Sequence, residues 1–214
     1  MPMHFNNKIG LGAVPLAERF FIAAALMTIS SCALKQLPSA EFNLAYGSNA
    51  EVTVEKIAFR NGTESFSSSG GGAIGSGWRH NSLPENGKSH VLSGKNIVPK
   101  TAHARWFSYQ NQKFYEADLA FSESLPNRLI EFSTAFGENT YKPSIVIGFG
   151  KDGEIMASLK TSCSYFQACG DNKKIVLIAS GQGREASGDP RIYHRSTVLR
   201  IQRGLIEPQH GFME

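Results

Sequence analysis

Cysteine is scarce in this chain of 214 residues, which contains only Cys32, Cys163 and Cys169. Charge is also low and nearly balanced, because 22 Lys and Arg face 18 Asp and Glu. So small an excess of positive charge argues against nucleic acid as a partner, since proteins that bind it carry a clustered basic face. The apolar run before Cys32 is shorter than the ~20 residues that a transmembrane helix needs.

Sequence motifs typical of catalytic sites are missing as well. No serine lies in the Gly-x-Ser-x-Gly context of a nucleophile elbow, and no HExxH occurs. The glycine-rich stretch 67–78 lacks the Gly-Lys-Ser/Thr of a phosphate-binding loop and precedes no helical pattern, so we expect an irregular loop there. Glu116 and Asp118 share a strand face, but such pairs are more often solvated than an acid/base couple. We therefore expect no enzymatic activity, no cofactor and no metal site.

The first 31 residues have the pattern of a secretory signal peptide. Lys8 and Arg19 precede an apolar run, Phe20–Met27, and small residues follow. A buried N-terminal core helix is the alternative interpretation. This pattern predicts export from the cytoplasm.

The end of this segment, Ile-Ser-Ser-Cys at 29–32, resembles a bacterial lipobox. The resemblance implies cleavage before Cys32 and acylation of that residue, with palmitate among the attached chains. Several acyl chains hold a protein on a membrane almost permanently. Ala33, by the same resemblance, favours the outer membrane. The sequence therefore predicts a lipoprotein of the bacterial envelope that faces the periplasm.

The two remaining cysteines, Cys163 and Cys169, lie close together in the chain. An exported protein meets an oxidising periplasm, so an even pair at short spacing predicts a disulfide. The loop it closes is small, which places its stabilisation at the low end of about 2–4 kcal/mol. A metal or redox site is the alternative, although no CxxC spacing or nearby histidine supports it.

Strand patterns dominate the rest of the chain. A change of phase near Lys56 predicts a bulge, and a polar break at 110–112 and a turn at Asp152-Gly153 predict two hairpins. We expect 173–180 to be a central strand and 196–202 the final one. The predicted strands are 51–59, 102–109, 113–121, 144–150, 155–159, 173–180 and 196–202.

One helix is predicted, over about 122–137. Its apolar stripe consists of Leu125, Leu129, Phe132 and Phe136 at helical spacing. No sustained βαβ alternation occurs, so we do not expect a parallel sheet. The fold class is α+β and β-rich, with an antiparallel sheet or sheets and one packed helix.

The patterns also predict how the chain is divided. The predicted segments are a lipoprotein signal peptide (1–31), an N-terminal linker after the lipid anchor (32–50), a single β-rich domain (51–205) and a C-terminal tail (206–214).

Several short motifs between about 75 and 159 resemble a family of uncharacterised bacterial lipoproteins, domain of unknown function 2931. The motifs are Gly77-Trp78, Gly87–His90, Pro99-Lys100, Trp106–Tyr109, Lys113–Glu116 and Ile145–Gly148. The turn at 150–153 and the pair Ala157-Ser158 depart from the family's pattern. The family has no agreed activity, so the resemblance implies no catalytic residues.

Large aromatic side chains on the paired strands allow two interpretations. Trp106 and Tyr115 either point inward as core, or point outward beside Glu116 as a recognition surface. The glycine-rich loop, extended to 67–92, is the second candidate surface. The candidate partner-binding residues are Trp78, His90, Trp106, Tyr109, Tyr115 and Glu116.

The segment 191–203 is basic with interleaved apolar residues. Contact with anionic lipid headgroups or with an acidic partner is one interpretation. An ordinary alternating edge strand is the other.

Two functions from different classes are compatible with these patterns. One is a binding module, an immunity lipoprotein that neutralises a secreted protein toxin. The other is a structural or housekeeping lipoprotein of the outer membrane with no toxin partner. A hydrolase of envelope material comes third. In either leading case the membrane is contacted through the lipid on Cys32.

Overall fold

Ten strands and two α-helices make up the part of the chain that a computed structural model describes, namely 42–74, 82–84, 88–90, 97–134, 142–161 and 174–209. The strands are β1 (Asn43–Ser48), β2 (Val52–Asn61), β3 (Glu64–Ile74), β4 (Lys88–His90), β5 (Thr101–Ser108), β6 (Lys113–Ala120), β7 (Ser144–Phe149), β8 (Glu154–Lys160), β9 (Ile175–Gln182) and β10 (Arg184–Ala186). The helices are α1 (Leu125–Thr134), a 3₁₀-helix (Pro190–Tyr193) and α2 (His194–Gln202).

The strands form two five-stranded sheets. The first sheet has the order β4-β1-β7-β8-β9, and the second has the order β10-β6-β5-β2-β3. Every neighbouring pair is antiparallel except β1 and β7, which run parallel with Asn43 opposite Ser144. The chain visits the second sheet and α1 between β1 and β7, so no hairpin constrains their relative direction. The first sheet is therefore mixed, where the sequence predicted antiparallel pairing only.

A common hydrophobic core connects the two sheets and α1. The chain crosses between the two sheets repeatedly, for example from β1 to β2 and, at Gly183, from β9 to β10. The first sheet contributes Tyr46 and Phe149, the second contributes Trp106, and α1 contributes Leu129, all of them completely buried. This arrangement confirms the predicted α+β, β-rich class.

The local predictions in the hairpins are also confirmed. The register of β2 shifts between Val54 and Lys56, which is the predicted bulge. Strands β5 and β6 pair across the polar break at 109–112, and β7 and β8 pair across the turn at 151–153. Helix α1 lies inside the predicted range 122–137 and begins at Leu125.

The predicted final strand over 196–202 is wrong, because these residues belong to α2. The Asp189 carboxylate accepts a hydrogen bond from the Arg191 backbone N–H, and Pro190 occupies the first turn of the 3₁₀-helix that leads into α2. A side-chain cap and an early proline both favour a helical start. The hydroxyl of buried Thr197 then bonds back to the Tyr193 carbonyl, one helical turn earlier.

Two further strand assignments differ from the sequence predictions. Strand β9 is an edge strand of the first sheet, where a central strand was predicted for 173–180. An irregular loop was predicted for 67–78, but 67–74 belongs to β3 and pairs with β2, while 75–78 lies outside the described residues. Backbone hydrogen bonds make such a ladder without help from side chains, so serine and glycine can occupy it.

The ends of the predicted domain also hold ordered structure. Strand β1 lies within 32–50, the segment predicted as a linker. It is part of the first sheet, where it pairs with β4 and β7. Ile206, at the start of the predicted tail 206–214, is buried against Phe107 and Phe114.

Candidate functional site

Charged side chains from four strands meet on the outer face of the second sheet. We call this group the charge network, and it consists of Glu55, Arg105, Glu116 and Arg184. Register brings its members together, because Arg105 of β5 is directly opposite Glu116 of β6, which is opposite Arg184 of β10. Glu55 is the extra residue of the bulge in β2. The network therefore follows directly from the strand pairing.

Arg105 is the centre of the charge network. Its Nε donates to Glu55 Oε2 at 2.6 Å, and its Nη1 donates to Glu116 Oε1 at 2.8 Å. Its Nη2 donates to the Ser187 carbonyl at 2.7 Å, and the guanidinium lies 4.9 Å from the centre of the Phe114 ring. Three edges of the guanidinium are thus occupied, which fixes its orientation.

These contacts change the pKa values of the network. Burial of the Arg105 guanidinium disfavours its charge, but the hydrogen bonds to Glu116 and Glu55 outweigh this effect and raise its pKa. The hydrogen bond from Arg105 lowers the pKa of Glu116. Both side chains therefore remain charged at neutral pH.

The C-terminal segment packs on the same outer face. The ring of Tyr193 stacks on Phe107 with centroids 4.6 Å apart, and its hydroxyl donates to Glu55 Oε1 at 2.8 Å. Burial of the hydroxyl and its bond to a carboxylate raise the pKa of Tyr193, so it stays protonated. Glu55 accordingly connects the charge network with the C-terminal segment.

A separate ion pair, outside the charge network, holds α2 against the second sheet. Arg200 Nε donates to Glu51 Oε2 at 2.9 Å, and both side chains are at most 14% exposed. The Arg200 guanidinium also lies 3.8 Å from the centre of the Tyr109 ring, whose hydroxyl is 2.7 Å from Thr53 Oγ1. Tyr109, a candidate binding residue, is therefore a buried support for α2.

Trp106 and Tyr115 point inward, so the structure selects the core interpretation for both. Trp106 is fully buried, and its ring centroid lies 5.6 Å from that of Tyr115 and 5.2 Å from that of Phe149. Its indole N–H donates to the Gly150 carbonyl at 3.2 Å, which connects β5 with the end of β7. These aromatics hold the two sheets together and offer no recognition surface.

The ends of the two hairpins are also joined. Asn111 Nδ2 donates to the Tyr115 hydroxyl at 2.8 Å and to the Lys151 carbonyl at 2.7 Å. Gly183 N–H donates to the Gly153 carbonyl at 2.7 Å, where the chain leaves β9 for β10. The motif around Trp106–Glu116 and the turn after β7 are therefore neighbours in space.

Several predicted site residues lie outside the described residues. These are Trp78, the lipidation site Cys32 and the cysteine pair Cys163 and Cys169. The candidate His90 is opposite Leu44 in the pairing of β4 with β1.

Glu116 and Asp118 are both described, and each contacts a different basic residue. Asp118 Oδ1 lies 3.0 Å from His103 Nδ1, and Glu116 pairs with Arg105. Among the candidate binding residues that the structure describes, Glu116 is the one that belongs to the charge network. Glu116 and Asp118 therefore have different neighbours in the structure.

Glu55, Arg105 and Tyr193 were not among the residues predicted from the sequence. The register of the predicted hairpin contained a signal for Arg105, because a break at 110–112 places it opposite Glu116. The predicted bulge near Lys56 was the signal for Glu55. No such signal existed for Tyr193, because its contacts depend on the helical segment that includes α2. The alternating residues of 196–202 made that segment resemble a strand.

The described residues contain neither a candidate metal site nor a membrane-spanning helix. Among them, no group of three or more His, Cys, Asp or Glu side chains could hold a metal ion. No helix in the same part of the chain is long and apolar enough to cross a bilayer.

Comparison with known proteins identifies the family. The sequence model of the family described as "Protein of unknown function (DUF2931)" matches residues 31–197. The chain belongs to this family, as its short motifs suggested. No curated protein and no solved structure gives a significant match.

Proposed function

We propose that this is a lipid-anchored envelope protein that acts by binding a protein partner. The charge network is the observation that carries the proposal, because it places alternating charges in a row across four strands of one sheet. Arg184, at the end of that row, has an 81% exposed side chain. One further pair, His103 with Asp118, flanks the row on the same face of the sheet.

The ion pairs on this face contribute more to recognition of a partner than to the stability of the fold. Exposed ion pairs contribute only about 0–1 kcal/mol to folding. Charges held on a rigid sheet, by contrast, can match an oppositely patterned surface and speed its association. Asp118 is 79% exposed and Arg184 is 81% exposed, so a partner can reach both side chains.

The biological role we propose is immunity, with the protein neutralising a secreted toxin at the periplasmic face of the outer membrane. The resemblance of residues 29–32 to a lipobox supports the location. A partner must cover roughly 800 Å² of such a surface, which is more than the charge network itself. The pair of His103 and Asp118 supplies adjoining polar surface on the same face of the sheet.

Co-expression with the product of an adjacent gene, exported to the periplasm, tests this role. We expect the wild-type chain to allow growth and the double variant Asp118→Lys/Arg184→Glu to lose protection. Both side chains are highly exposed, so the variant should fold normally by circular dichroism. Arg128→Glu on α1 is the matched control for a change of surface charge, and it should protect like wild type.

Two results would contradict the proposal. If the folded double variant protects fully, the charge network is not the binding surface. If no adjacent gene product is toxic in the periplasm, immunity should be abandoned in favour of a structural role in the envelope.

A further inference from the structure

The C-terminal segment has an inner side that is fully engaged with the second sheet. Tyr193 stacks on Phe107, Thr197 is buried, and Arg200 pairs with Glu51. These contacts hold the 3₁₀-helix and α2 in one orientation. Consequently the opposite side of the segment is presented outward as a fixed surface.

That outward side is unusually apolar. Ile192 is 65% exposed, Leu199 is 43% exposed and Leu205 is 51% exposed. Among the described residues, five large hydrophobic side chains are this exposed, and three of the five lie within this short segment. Isolated exposed leucines are ordinary, whereas three large apolar side chains exposed within so short a segment indicate an interaction surface, with Ile192 and Leu199 on its outward side and Leu205 just beyond the end of α2.

The same side is also cationic. Arg195, Leu199 and Arg203 are four residues apart, which places them along one side of the helix. Arg195 and Arg203 are exposed, and neither side chain forms an ion pair or hydrogen bond within the part of the chain that the structure describes. No acidic residue occurs between Pro190 and Ile206, and the nearest ones in the sequence are Asp189, which pairs with Arg191, and Glu207.

We propose that this surface docks on an anionic phospholipid membrane. We call it the C-terminal arginine face, and it consists of Ile192, Arg195, Leu199, Arg203 and Leu205. Its chemistry is that of interfacial helices, in which guanidinium groups bind phosphates while apolar side chains enter the headgroup layer. The complementarity of charge selects an anionic lipid surface over a neutral one. This inference goes beyond the proposed function, since it requires neither a toxin nor the lipid on Cys32.

Vesicle co-sedimentation of the full chain tests the inference. Neutral phosphatidylcholine vesicles are compared with vesicles in which about a third of the lipid is phosphatidylglycerol. We expect binding to the anionic vesicles to exceed binding to the neutral ones and to weaken with salt. Every variant keeps residues 1–31, so any binding through that segment is common to all of them.

The double variant Arg195→Gln/Arg203→Gln should bind anionic vesicles roughly 25-fold more weakly. A basic residue near such a surface contributes about fivefold in affinity, and the two effects multiply. Arg128→Gln/Ile130→Ser is the matched control, because it removes one exposed arginine and one half-exposed isoleucine from α1. The control should bind like wild type.

Three results would overturn the inference. The first is equal binding to neutral and anionic vesicles by the wild-type chain. The second is an equal loss of binding in the control. The third is a dimer, detected by light scattering, that Leu199→Ser dissociates, because it would assign this face to a second copy of the chain.

Discussion

Replacing Gly183 by alanine should destabilise the protein more than its small size suggests. This glycine lies where the chain crosses from β9 to β10, between the two sheets. A Cβ atom there would lie 2.7 Å from Cη2 of Trp106 and 3.1 Å from the carbonyl oxygens of Glu116 and Gly153. Real side chains do not tolerate the first distance, and two of the three neighbours are backbone atoms.

The indole of Trp106 cannot easily move to relieve this contact. It is fully buried between the rings of Tyr115 and Phe149, and its N–H is bonded to Gly150. Overpacking of such a core costs about 1–3 kcal/mol. In a chain of this size, that corresponds to a melting temperature lower by roughly 2–12 °C.

Gly181→Ala is the matched control for this prediction, because it lies two residues earlier in β9. There a Cβ atom would meet its nearest neighbour, Leu119, at an ordinary 3.4 Å. We expect no loss of stability in the control, since alanine restricts the unfolded chain more than glycine does. Thermal and urea unfolding followed by circular dichroism measure both variants. Equal stability of the two variants would refute the packing argument at Gly183.

The remaining predictions concern the charge network, the C-terminal segment and the cysteine pair. Arg105 lowers the pKa of Glu116, so the stabilisation from their ion pair is present above the ordinary carboxyl range and is lost as the pH falls through the lowered pKa. Glu116→Gln lacks this ion pair, so its free energy of unfolding should fall less steeply than that of wild type between roughly pH 5 and pH 2 in acid titrations. Tyr193→Phe removes the hydroxyl that donates to Glu55 and should lower the free energy of unfolding by about 1 kcal/mol in urea, while an unchanged value would show that this bond is not significant. Cys163 and Cys169 should both resist alkylation in denatured, non-reduced protein from the periplasm, and modification of either one would disprove the disulfide.

The sequence was most informative where local pattern determines structure. The polar break at 110–112 set the register of β5 and β6, and that register alone places Arg105 opposite Glu116. The change of phase near Lys56 likewise revealed the bulge that carries Glu55. Such features depend on neighbours within a hairpin or a single strand, so they can be inferred from one chain.

The failures concern contacts between residues that are distant in sequence. The segment 196–202 alternates enough to resemble a strand, but Tyr193 and Arg200 are held by Glu55 and Glu51 of the second sheet. Nothing in the segment itself encodes those partners. The parallel pairing of β1 with β7 is hidden for the same reason, since a hundred residues of chain separate Asn43 from Ser144.

The proposed function depends most on the location of the protein at the outer membrane. Metabolic labelling with a fatty-acid probe, followed by fractionation of the envelope, tests it most directly. We expect the wild-type chain to be labelled and to sediment with the outer membrane, and we expect Cys32→Ser to remain unlabelled. Equal labelling of the two chains would contradict a lipid anchor at Cys32.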